Sequence, residues 1–141
     1  MITLFTDLVY ANRMRVFYIA FSTESSRILQ INSWLSQIEF PYQWISARTL
    51  ADDRDHKYDD ERRLDAYGFP MAAGEIGCFL SHRACWEAVA QINELALVLE
   101  SDAVPDNLDA LIDLMDYLAK GDTIAVYDVV RLSGVFPHNE R

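Results

Sequence analysis

The sequence predicts an α/β protein built on a mostly parallel, doubly wound sheet flanked by helices. Three observations carry that expectation. Leu97-Val98-Leu99 is an unbroken apolar run between two stretches of helical periodicity, the pattern of a strand buried on both faces of a parallel sheet. Runs rich in β-branched and aromatic residues alternate with helical patterns along the chain, which argues βαβ units. The central run ends abruptly in two carboxylates, Glu100 and Asp102, and ligands of open α/β sheets bind at the carboxyl ends of strands.

The elements follow in order. Arg15 to Ala20 (Arg-Val-Phe-Tyr-Ile-Ala) reads as the first strand. Ser22 or Thr23 can cap a helix running to about Gln37, with Ile28, Leu29, Ile31, Trp34, Leu35 and Ile38 as its apolar stripe. Tyr42 to Ala47 makes a short second strand. Asp52 to Asp65 crowds seven acidic and four basic residues into fourteen positions, which reads as a solvated loop or short exposed helix, or as a flap beside a site. A helix opens near Gly74 and runs to about Asn93, and Ala96 to Leu99 is the third strand. Pro105 and Asp106 start a helix with Leu108, Leu111, Ile112, Met115 and Leu118 at helical spacing, closed by Gly121. The last strand takes in Val126 to Leu132.

Composition narrows the function classes. With 141 residues and 51% hydrophobic content, one domain with an ample core is expected. A formal net charge of −10 argues against nucleic acid and anionic membrane surfaces as partners. No stretch reaches the roughly 20 apolar residues of a membrane span. Met1 to Asn12 is apolar but lacks a basic start and carries Asp7, which is unlike a signal peptide. Residues 1–13 are therefore expected to be an N-terminal extension, with residues 14–141 forming the domain. Cys78 and Cys85 lie seven apart on one expected helix, about 10 Å by helical rise, beyond disulfide reach. A reducing, cytoplasmic setting follows.

The motif Gly74-Glu75-Ile76-Gly77-Cys78-Phe79-Leu80-Ser81-His82, then Trp86, then Leu99-Glu100-Ser101-Asp102-Ala103, resembles glycosyltransferase family 25. That family comprises bacterial lipopolysaccharide and lipooligosaccharide glycosyltransferases related to animal collagen galactosyltransferases. Its pattern reads Gly-Glu-Ile-Gly-Cys-x-x-Ser-His and Leu-Glu-Asp-Asp-Ala. The resemblance starts near Met14 and runs to the end of the chain, specific in the middle and weak at the beginning. It implies a Rossmann-like glycosyltransferase A-type fold, apparently truncated here, because the family's domain runs well beyond this length. It further implies transfer of a hexose, by expectation galactose, from a UDP-sugar to a lipooligosaccharide or lipopolysaccharide acceptor. The setting would be cytoplasmic, at most peripheral to the inner membrane. The rival reading is a truncated, non-catalytic remnant serving as a nucleotide-binding or homodimeric assembly module.

A sugar diphosphate needs its charge met as the glycosidic bond breaks, which Mn²⁺ or Mg²⁺ does with carboxylate ligands. An acid-x-acid pair on an extended strand puts both carboxylates on one side. By the resemblance, Asp102 is the direct metal ligand and Glu100 the ribose or metal partner. Ser101 replaces the family's middle acid, and Ser101→Asp is expected to leave UDP binding unchanged or improve it.

The resemblance places Gly74, Glu75, Ser81, His82, Glu100 and Arg27 at the donor site, with His82 a weak candidate for catalytic base. The family's Asn and Asp at the end of the first strand are here Ala20 and Ser22. Cys78, His82 and Cys85, at i, i+4 and i+7, are zinc-ligand types. The line continues through Val89 and Ile92 as a core stripe, however, and no other Cys completes a structural set. Both cysteines are expected to be reduced and metal-free. Asp128 and Arg131 either face the same crevice or pair with each other.

Overall fold

A computed structural model describes residues 2–3, 14–52, 58–92, 94–120, 129–130 and 132. Its elements are β1 (Ile2–Thr3), β2 (Met14–Ala20), α1 (Ser25–Leu35), β3 (Tyr42–Ser46), a 3-10 turn (Leu50–Asp52), α2 (Asp60–Tyr67), α3 (Ala73–Val89), β4 (Leu95–Glu100), α4 (Leu108–Ala119) and β5 (Val129–Val130). The sheet order is β3-β2-β4-β1-β5. β2 pairs in parallel with β3 on one side and with β4 on the other, with Val16 opposite Tyr42 and Leu97. β1 pairs antiparallel with both β4 and β5, so Ile2 and Thr3 of the expected extension join the sheet.

Strand alternation divides the core into two layers. Val16, Tyr18 and Ala20 of β2 and Leu95 and Leu97 of β4 pack with Ile31, Trp34 and Leu35 of α1 and Met115 and Ala119 of α4. Phe17 and Ile19 of β2 and Ala96 and Val98 of β4 pack with Cys85 and Val89 of α3. Helices thus cover both faces of the parallel strands, which is the doubly wound architecture the alternation of elements predicts. Leu97 and Val98 are buried at the centre of the sheet, and Leu99 is partly buried. An unbroken apolar run is what a strand with two covered faces requires.

Several boundaries shift for local reasons. α1 starts at Ser25 behind Glu24, with neither Ser22 nor Thr23 as its cap, and Leu29 leaves the expected stripe at 71% exposed. α4 starts at Leu108 because the Asn107 side chain accepts from the Ala110 N–H. The charged stretch contains α2, whose Asp59 side chain caps the Arg62 N–H and whose end is fixed by Gly68 at φ 79°. No residue of α2 is buried, so caps and not a core stripe define it. α3 ends at Val89 with Ala90 as its cap, short of the expected end near Asn93, because the Gln91 and Ile92 N–H groups turn back onto the Ala88 and Val89 carbonyls. Asn93 itself, Gly121, Val126 to Asp128 and Arg131 lie outside the described residues.

Candidate functional site

β3 and β4 lie on opposite sides of β2, and the order reversal opens a crevice at the carboxyl ends of these strands. A cavity of about 520 Å³ fills it. Ile19, Ala20 and Phe21 line it from the end of β2, Ala47 to Ala51 from the segment after β3, Gly74, Gly77, Cys78, Ser81 and His82 from α3, and Glu100 and Ser101 from the end of β4.

The wall after β3 is clamped to α3 by Ser81. Its hydroxyl donates to the Gly77 carbonyl and accepts from the Arg48 N–H, both at 2.7 Å. Gly77 permits the approach: a Cβ there would stand 2.8 Å from the Arg48 carbonyl oxygen. Thr49 then turns onto Asp52, whose carboxylate accepts from both the Thr49 N–H and its hydroxyl. Ser81, expected as a donor contact, is 3% exposed and positions the wall.

Glu24 closes the opposite side. It accepts from the Phe21 N–H at 2.9 Å, from the Ser101 hydroxyl at 3.1 Å and from Arg27 at 3.0 Å. It ties the ends of β2 and β4 together and holds Arg27 at the cavity. No sequence pattern singled out Glu24, the lone acid in the short segment between β2 and α1. Ser101 is 8% exposed against this carboxylate, where Ser101→Asp would add a second negative charge. Two carboxylates would then crowd one partly buried site.

At the floor, His82 is 6% exposed and its Nε2 lies 2.9 Å from Glu100 Oε1. A carboxylate only accepts, so the proton of this bond sits on Nε2. His82 Nδ1 has no hydrogen-bond partner among the described residues. Cys78 lies 3.9 Å from the same Glu100 oxygen, and burial first, then the Glu100 charge, pushes its thiol up from 9.0. The expected core stripe on α3 is thus split. Cys78 is exposed at the cavity while Cys85 is buried, and both are free thiols.

Of the expected site residues, Arg27, Gly74, Ser81, His82 and Glu100 line one cavity. Glu75 and Asp102 do not line it. The Glu75 carboxylate accepts from the Ala72 N–H at 2.7 Å and so closes the start of α3. β4 ends at Glu100, and the chain turns over Ser101 and Asp102, with the Ala103 N–H bonded to the Glu100 carbonyl at 3.0 Å. Strand alternation therefore stops before Asp102, which is exposed in the turn. Glu100 stands within the cavity, its side chain 56% exposed, and Asp102 follows it on the turn. Arg48, which no sequence pattern singled out, adds an exposed cation to the cavity wall.

Residues 14–132 match glycosyltransferase family 25 (LPS biosynthesis protein). A "Glycosyltransferase 25 family member" from Anopheles gambiae is 56% identical over 34 residues, which is 23% of this chain and 6% of that relative. No solved structure matches the chain. Among the described residues, no helix is long and apolar enough to cross a membrane.

Proposed function

The chain belongs to glycosyltransferase family 25, and from that premise we propose that its cavity binds a UDP-hexose, by expectation UDP-galactose, for transfer to a lipooligosaccharide or other lipopolysaccharide acceptor on the cytoplasmic side. The observation that carries this reading is the cavity itself. It sits at the carboxyl ends of three parallel strands, within the family match, and holds the acid of the motif beside its Ser-His pair.

The residues divide the task by their chemistry. Arg27 and Arg48 offer guanidinium groups to a diphosphate. Phe21 and Leu50, 40% and 45% exposed, give an apolar wall suited to a base or sugar ring. His82 holds the Glu100 carboxylate in place. Mn²⁺ or Mg²⁺ would be held by Glu100 with Asp102, and when bound it would neutralise charge developing on the leaving diphosphate.

Ala20 and Ser22 favour a second reading. Ala20 presents no polar side chain to the cavity and Ser22 does not line it, so recognition of the nucleotide is weaker at this strand end and a nucleotide-binding module without turnover is the rival. Release of UDP from UDP-galactose, followed with Mn²⁺ and with chelator, separates the two. Metal-dependent release supports the transferase, and binding without release supports the module. Absence of both contradicts the donor site.

A further inference from the structure

Cys78, His82 and Glu100 bring a sulfur, an imidazole nitrogen and a carboxylate oxygen within 4.8 Å of one another. We infer that these three residues form a binding site for a borderline transition-metal ion of the zinc class, distinct in chemistry from the hard-cation role proposed for Glu100 and Asp102. The case rests on donor type, spacing and rigidity. Zinc takes Cys, His and carboxylate ligands at about 2.0–2.3 Å, so tetrahedral neighbours stand about 3.3–3.7 Å apart. The oxygen–nitrogen and oxygen–sulfur separations here are 2.9 Å and 3.9 Å, so small side-chain adjustments admit an ion once the Cys78 thiol gives up its proton and the His82 proton moves from Nε2 to Nδ1.

The frame is already built. Cys78 and His82 are one helical turn apart on α3, a spacing that puts both on one face. His82 is more than nine-tenths buried, and its one engaged nitrogen aims at the carboxylate that ends β4. Glu100 comes from a different element, which is why helix periodicity alone suggested Cys85 as the third ligand; Cys85 instead lies in the core. Three protein ligands leave a fourth position open toward the cavity, the pattern of non-structural zinc sites. Manganese and magnesium favour oxygen donors, whereas thiolate and imidazole favour zinc. Because Glu100 is shared, zinc and a Glu100-held Mn²⁺ exclude each other; this consequence alone rests on the proposed donor site.

The test uses the full chain and the metal alone, without nucleotide. Titration with Co²⁺ should give tetrahedral cobalt absorption with a thiolate-to-metal charge-transfer band at one ion per chain, and Zn²⁺ should displace it. Cys78→Ser should abolish the charge-transfer band and weaken Zn²⁺ by a hundredfold or more, since even loss of an outer-shell partner costs about 10–100-fold. Cys85→Ala should keep the band, and circular dichroism checks that each variant folds. No thiolate band in the parent, a band retained in folded Cys78→Ser, or one lost in folded Cys85→Ala would overturn the assignment. Failure of UDP to bind leaves this readout untouched and bears on the donor site only.

Discussion

Gly77 and Gly74 stand one turn apart at the start of α3, and the structure predicts opposite effects of the same substitution. In Gly77→Ala the new Cβ would meet the Arg48 carbonyl oxygen at 2.8 Å and Thr49 Cα at 3.4 Å. These are backbone atoms of a segment clamped to the same turn by Ser81, so relief means moving the segment and stretching the Arg48–Ser81 bond. Overpacking costs about 1–3 kcal/mol and a lost hydrogen bond about 1 kcal/mol, against a helix-propensity gain of about 1 kcal/mol. The net expectation is a loss of about 1–3 kcal/mol. In Gly74→Ala nothing lies within 4 Å of the new Cβ, and the variant should gain about 0.5–1 kcal/mol. Urea unfolding followed by tryptophan fluorescence should therefore separate the two by about 1.5–4 kcal/mol at unchanged m-value. Equal stabilities, or a more stable Gly77→Ala, would refute the clamped-wall account.

Two further outcomes follow from other parts of the fold. Burial pushes the Cys85 thiol up from 9.0 to about 12, so the folded chain keeps it neutral where the unfolded chain ionises it. Its stabilising contribution is whole below about pH 9 and is lost as pH rises toward about 12, by at most about 4 kcal/mol. Denaturation of the parent and Cys85→Ala across that window should show the shallower alkaline loss in the variant. Ser101→Asp should lower stability by about 1–3 kcal/mol, because the new carboxylate meets Glu24 where the hydroxyl now donates at 3.1 Å; a thermal melt no lower than that of the parent would contradict this.

The parts of the fold legible in the sequence were those that rest on local pattern. The β4 run announces itself because a strand with both faces covered has no polar alternation to show. The stripes of α1 and α4 follow helical spacing, apart from the exposed Leu29. What the sequence concealed depends on contacts between distant residues or on where a strand stops. Ser81 meets Arg48 across 33 positions, and Ser101 meets Glu24 across 77, so neither role follows from periodicity. Asp102 was placed by extending the alternation of β4 past Glu100, where the chain has already turned. α2 shows no apolar stripe because no face of it is buried, although Asp59 and Gly68 carried its start and stop signals.

In the proposed function, the cavity at the strand ends binds a sugar nucleotide through the Glu100 region with a divalent cation. Calorimetric titration of UDP into the parent, Glu100→Gln and Asp102→Ala, each with Mn²⁺ and with chelator, tests it most directly. The parent should bind UDP only with Mn²⁺. Each variant should bind on the order of tenfold to a hundredfold more weakly, about 1.4–3 kcal/mol. Affinity in Glu100→Gln equal to that of the parent, or no UDP binding by the parent under either condition, would contradict the account.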